Sequence, residues 1–239
     1  LLRNRGRNFR IVRTPVESPA PDSWREVIPH RDDVMVEGID VFEDFYVLLE
    51  REHGLPHLRI LPFTGGDGSR VQIEEPVYAL YPGRNEEFSA RAYRFRYESL
   101  TTPNSVFDYD VETQNRTLVK QIEVLGDYDP SSYRAERLWA TAPDGTKVPV
   151  SLVYRKGTRE AGPAPMHLVG YGSYGYPYPT TFSHSRVSLL DRGYIYAIAH
   201  VRGGGELGKA WHDQGRMEQK ENTFTDFIAV TEHLLAEGY

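Results

Sequence analysis

The apolar pattern changes once along this chain, and that change limits the folds open to it. Up to Val124 the apolar residues come in short β-rich runs: Val34–Ile39, Phe45–Leu49, Leu58–Leu61, Val71–Ile73 and Val77–Leu80, broken by Gly, Pro and Asp. Tyr93-Arg94-Phe95-Arg96-Tyr97 alternates aromatic and basic residues, the period of a half-buried strand. Ser105–Val111 and Arg116–Val124 flank a polar turn at Thr113-Gln114-Asn115. Short strands so closely spaced imply an antiparallel sandwich, barrel or propeller. From Met166 onward the order is strand, helix, strand, Gly-rich loop, helix, the rhythm of a parallel α/β sheet.

Gly126–Ser132 is turn-rich and reads as a linker. Arg137–Ala142 and Lys147–Tyr154 form a hairpin around Pro143-Asp144-Gly145-Thr146, because Asp-Gly is a strong hairpin turn signal. Met166–Gly170 and Tyr194–Val201 read as buried strands, with a helix over Ser183–Asp191 stopped by Gly193. Asn222–Glu237 is predicted to be a helix with Phe224, Phe227, Ile228, Leu234 and Leu235 on one apolar face. Thr223 and Asp226 are placed as its capping box, and Gly238 as its C′ residue. The next parallel strand is due at Tyr239, which predicts an unpaired sheet edge. With Leu rather than Met at position 1, the chain is expected to be a piece of a longer protein.

Composition excludes several classes. Net charge is −6, and all of it falls in residues 1–150, because residues 151–239 carry nine basic and nine acidic side chains. An acidic chain gives no basis for nonspecific nucleic-acid binding. Without cysteine there is no disulfide framework, thiolate metal site or cysteine nucleophile. No apolar run approaches the roughly 18 residues of a membrane span. Five arginines lie among the first thirteen residues (Arg3, Arg5, Arg7, Arg10, Arg13), but no apolar signal-peptide core follows them. They are read as an exposed strand pair turning at Asn4-Arg5-Gly6, and the compartment as cytoplasmic.

Two glycine-rich loops follow the two late strands. Arg202–Gly208 contains G-x-G-x-x-G, but a dinucleotide site also needs an acidic residue at the end of the next strand, and Asp226 falls inside a helix. A tight loop leaving a sheet uses the same glycines. Gly170–Gly175 (GYGSYG) is no nucleophile elbow, because Tyr171 stands where the first glycine is required, so Ser173 is read as a turn residue. The segment suits an oxyanion loop better: in α/β hydrolases the loop after the third strand supplies a donor to the tetrahedral intermediate. His53 and His57 have metal-like spacing, but Gly54 and Pro56 preclude the aligning helix, which leaves a surface turn. His184, His200, His212 and His233 pair in sequence with no obvious Asp and Ser. Asp108 and Asp110 share the solvent face of a strand.

These residues carry a resemblance to the prolyl oligopeptidase family of serine peptidases, and most to its oligopeptidase B branch. It rests on Val148–Tyr154, GYGSYG, Ser185–Val201, RGGGELG at Arg202–Gly208 and Asn222–Asp226. In the first half it rests on Asn8–Arg10, Pro29–Gly38, Thr101–Pro103, Lys120-Gln121 and Tyr133–Ala142. The resemblance implies the last blades of a β-propeller over residues 1–128, at about 40–45 residues per blade. It implies the N-terminal portion of an α/β-hydrolase domain over residues 129–239. The implied activity is hydrolysis of oligopeptides after Arg or Lys by Ser-His-Asp acyl transfer, without a cofactor or metal, with the triad beyond Tyr239. This piece alone is then expected to be inactive. Tyr171 takes the oxyanion donor's role by resemblance, and Tyr174 aligns with an aromatic near the substrate. An acidic subsite pair of the branch is replaced here by Pro179 and Thr181. The competing readings are a non-catalytic propeller interaction module with a degenerate hydrolase domain, and a cofactor-binding α/β protein using Gly203–Gly208. Nothing in the sequence sets an oligomeric state.

Overall fold

The computed structural model describes residues 6–66 and 68–239. The expected turn at Asn4-Arg5-Gly6 falls largely outside them. A short antiparallel pair, β1 (Ile11–Arg13) and β2 (Arg25–Ile28), comes first. Two antiparallel four-stranded sheets follow. One is β3 (Val34–Val41), β4 (Phe45–Glu52), β5 (Leu55–Pro62) and β6 (Ser69–Arg70). The other is β7 (Tyr78–Pro82), β8 (Ala92–Ser99), β9 (Ser105–Asp110) and β10 (Arg116–Gln121), each strand paired with the next.

Side-chain alternation builds the core between these sheets. On β8 the rings of Tyr93, Phe95 and Tyr97 point inward, while Arg94 and Arg96 face solvent. They meet Phe42, Phe45, Val47, Leu58, Ile60 and Leu80 in one aromatic-rich cluster. The strand expected over Val71–Ile73 is displaced to Ser69–Arg70. Val71 is instead a buried core residue just past it, its N–H bonded to Leu58 O at 3.0 Å. The carboxylate of Glu50 is fully buried, which demands charged partners. Arg59 supplies a fork at 2.9 and 3.1 Å, and Arg31 pairs with the same group.

The second part is one mixed sheet. β11 (Tyr133–Thr141) and β12 (Lys147–Arg155) form the expected hairpin, β13 is Met166–Gly170, and α1 (His184–Leu190) precedes β14 (Ile195–Ala199). The strand order is β11-β12-β14-β13, with β13 and β14 parallel and the other pairs antiparallel. β13 and β11 are the outer strands of this order. A short helix α2 (Lys209–Asp213) leads to α3 (Glu221–Ala236), which packs on β11, β12 and β14. Among the described residues no helix is long and apolar enough to cross a membrane.

α3 turns only part of its predicted apolar face to the core: Leu234 is buried there and Phe227 packs against it. Thr223, Asp226, Ala229, Val230 and Leu234 are buried, whereas Phe224, Ile228 and Leu235 are exposed. The helix also starts earlier, with Lys220 at the N-cap, so Thr223 and Asp226 are no capping box. Both are drawn inward by Arg202, as described below. Gly238 (φ 74) does end the helix as a left-handed C′ residue. The two parts share a core in which Val77 and Leu100 pack with Tyr133, Val153, Leu190 and Ile198.

Candidate active site

The carboxyl ends of β13 and β14 lie side by side. In α/β sheets, ligands bind in the crevice outside such ends. The GYGSYG and RGGGELG loops leave there, and glycine lets them touch. A Cβ on Gly203 would stand 2.1 Å from Gly172 O, and one on Gly205 would stand 2.3 Å from Gly175 O. Gly175 N–H donates to Gly203 O at 3.0 Å. The glycine run thus serves backbone approach to the neighbouring loop, and Asp226 is engaged with Arg202 inside α3 rather than standing at a strand end.

Tyr171 opens the first loop. Its side chain is 44% exposed, its ring meets Tyr176 edge-on at 6.1 Å, and its hydroxyl makes no hydrogen bond among the described residues. Such a phenol can donate to an oxygen that gains negative charge. Ser173 lies in a turn closed by Tyr176 N–H to Ser173 O at 3.1 Å, with Tyr174 (φ 58) and Gly175 (φ 65) both left-handed. Tyr174 is 88% exposed and borders a cleft of about 330 Å³, shared by Met35 of β3 with Lys209, His212 and Arg216. A bulky residue held left-handed is strained, which marks this turn as one fixed by its surroundings.

A smaller cavity of about 90 Å³ lies between Arg51, Tyr78 and Tyr81 of the first part and Ser151, His200 and Glu206 of the second. There the structure supplies a pairing that the sequence did not reveal. Ser151 Oγ and His200 Nε2 are 2.8 Å apart, and His200 Nδ1 lies 3.3 Å from Glu206 Oε1. This is the connectivity of a Ser-His-acid triad, but Ser151 is buried in the middle of β12, paired on both sides. With Ser151 2% and His200 6% exposed, the three residues tie β12 to the Glu206 loop. Glu206 Oε1 also accepts the Tyr178 N–H at 2.8 Å, which anchors the loop holding Pro179 and Thr181. Glu98 of β8 takes the Phe182 N–H at 3.1 Å. His57 lies on β5 rather than in a turn, facing the Tyr78 hydroxyl, and burial lowers its pKa.

Beneath both loops runs a buried ion network. Arg202 follows the wholly apolar β14, so its guanidinium is buried and needs carboxylates. Asp226, fully buried on α3, accepts from Nη2 at 2.6 Å and from the Arg202 backbone N–H at 2.9 Å. Asp144 in the β11–β12 turn accepts from Nη1 at 2.6 Å. This donor, with the Thr146 N–H, holds the Asp144 pKa down at about 2. A depressed carboxyl pKa adds stability that is present above the ordinary value and lost as pH falls through the folded one. The stability difference between the protein and Asp144→Asn should therefore be constant above about pH 5 and shrink toward pH 2 in denaturation curves. Asp144 is half exposed, so the difference is small, and a difference that grows on acidification would contradict the assignment. Among the described residues no three His, Cys, Asp or Glu side chains gather as a metal site.

Comparison with known proteins places this geometry. Residues 1–122 match the family model "Prolyl oligopeptidase, N-terminal beta-propeller domain", and residues 180–239 match "Prolyl oligopeptidase family". The two antiparallel sheets fall within the propeller match, and β14 with α1, α2 and α3 falls within the peptidase match. The chain is 46% identical over 233 residues to dipeptidyl aminopeptidase BI of Pseudoxanthomonas mexicana, covering 97% of this chain and 32% of that protein. It is 35% identical over 240 residues to protease 2 of Moraxella lacunata, covering 100% and 34%. Oligopeptidase B from Trypanosoma brucei, solved with covalently bound antipain, superposes with a TM-score of 0.89 at 38% identity, covering 99% and 34%. The chain spans about a third of the length of these relatives. It belongs to the prolyl oligopeptidase family of serine peptidases.

Proposed function

We propose that these residues supply the last propeller blades and the oxyanion side of the active site in a serine oligopeptidase that cleaves short peptides after Arg or Lys. The domains divide at 128/129 in this reading. The observation that carries it is Tyr171, exposed at the carboxyl end of β13 with an unengaged hydroxyl, on a loop anchored through Gly175 to its neighbour. Serine attack on the scissile carbonyl puts negative charge on its oxygen, and the Tyr171 hydroxyl donates to that oxygen. In this reading the serine, the histidine that takes its proton and the aspartate that orients the histidine come from outside these 239 residues. The likeness to protease 2 and to oligopeptidase B supports the basic preference. With Pro179 and Thr181 at the acidic pair's positions, a second basic residue before the cleaved one finds no carboxylate there.

The test uses the full-length enzyme and fluorogenic peptides ending in Arg, Lys or Pro. Arg and Lys substrates should exceed Pro by more than tenfold in kcat/KM, and a serine-directed fluorophosphonate should abolish turnover. A preference for Pro, or activity untouched by the fluorophosphonate, would count against the reading. The 239 residues alone should neither turn over nor be labelled. The 46% identity to a dipeptidyl aminopeptidase favours a second reading, release of dipeptides from a free N-terminus. Acetylating the substrate's amino group leaves endopeptidase turnover intact and abolishes that of the dipeptidyl enzyme.

A further inference from the structure

We propose that Lys220 is a positioning residue for the oxyanion donor, its ammonium holding the Gly172 carbonyl and the Ser173 hydroxyl so that Tyr171 keeps its place. This rests on the reading of Tyr171 above. Because the Tyr171 hydroxyl bonds to nothing described, its location is set by the ring's contact with Tyr176 and by the backbone on either side. On one side Gly170 is held in the β13–β14 ladder. On the other, Lys220 Nζ donates to Gly172 O and, at 3.0 Å, to Ser173 Oγ. Among the described residues no other hydrogen bond ties Gly172 or Ser173 to the rest of the domain outside the local turn.

The geometry suits a clamp. Lys220 is the N-cap of α3, its carbonyl taken by the Thr223 N–H at 3.1 Å and its own N–H given to Met217 O at 3.0 Å, so the side chain starts from a fixed point. No described carboxylate pairs with its ammonium, which leaves the charge to the loop's two neutral acceptors. Hydrogen bonds from a charged donor are stronger than neutral ones. The loop is also pressed onto the helix. Gly172 is left-handed (φ 61), and a Cβ there would stand 2.5 Å from Thr223 Cγ2. Thr223 in turn donates to Arg202 O at 2.7 Å, so the same first turn of α3 registers both loops. The donor loop is thereby indexed to the helix rather than to its own flexible sequence.

The experiment is a double-mutant cycle in the full-length enzyme with an Arg-ending fluorogenic peptide. Lys220→Met keeps the stem and removes the charge. It should lower kcat about 10- to 100-fold with KM within about twofold, since only an interaction made in the transition state is misplaced. Lys220→Arg, which can still reach a carbonyl, should retain most of the activity. Lys220→Met combined with Tyr171→Phe should be no slower than Tyr171→Phe alone, within about threefold, because the two act through one contact. Multiplying effects, or a Lys220→Met enzyme at full kcat, would overturn the clamp while leaving the Tyr171 reading intact. Unchanged kcat in Tyr171→Phe alone would instead overturn that reading and the clamp with it. If Lys220→Met does not fold, full loss of activity in a folded Lys220→Arg enzyme also overturns the clamp.

Discussion

Asp226→Ala is expected to destabilise the peptidase part by about 3–5 kcal/mol, the cost of removing one partner from a buried ion pair. The carboxylate is fully buried and takes hydrogen bonds from the Arg202 side chain and backbone. Alanine leaves the guanidinium, itself 3% exposed, with only the half-exposed Asp144. The loss is local, so amide hydrogen exchange is the suitable measurement. Protection on α3 and β14 should fall by roughly a hundred- to several-thousand-fold, as that free energy converts at about 1.4 kcal/mol per tenfold. Asp226→Asn keeps the shape and one acceptor, and should fall between the two. A loss of less than tenfold in Asp226→Ala would show that Arg202 finds water instead, and that the network does not register α3 against β14.

How much of this was legible in the sequence follows from the kind of signal each element carries. Tyr93–Tyr97 alternates with period two and faces aromatic neighbours, so its strand and its buried side were both readable. Asp144-Gly145 carries its own turn chemistry, so the hairpin needed no tertiary information. α3 was found as a helix, but its orientation only in part. Phe224 and Ile228 advertise an apolar face, whereas the sheet takes the side with Thr223 and Asp226. That choice depends on a guanidinium 24 residues upstream in sequence. A signal was present all the same: an arginine three residues past a fully buried strand cannot reach water easily and needs a carboxylate. Ser151, His200 and Glu206 had no such cue, since they meet only when β12 pairs with β14. Tyr171 was placed by the resemblance of its motif, and the fold adds its exposure and the support beneath its loop.

Tyr171→Phe in the full-length enzyme is expected to lower kcat by about 10²–10³ while KM barely moves. In the proposed role the hydroxyl's partner exists only once the carbonyl oxygen is charged, so the ground state loses nothing when it is removed. Folding should be equally indifferent. The hydroxyl bonds to no described residue, the side chain is 44% exposed, and phenylalanine keeps the edge-on contact with Tyr176. The stability change should therefore stay within about 0.5 kcal/mol, as for surface substitutions that touch no special feature. This separation is what makes the result informative. Loss of kcat at unchanged stability and KM assigns the hydroxyl to the transition state. Loss of stability together with kcat would mark Tyr171 as a packing residue of the loop. A kcat within threefold of the unmodified enzyme would leave oxyanion stabilisation to backbone donors alone. Rate measurements on an amide substrate, for which acylation is the slow step, are the ones to use, because slow product release would hide the missing hydrogen bond.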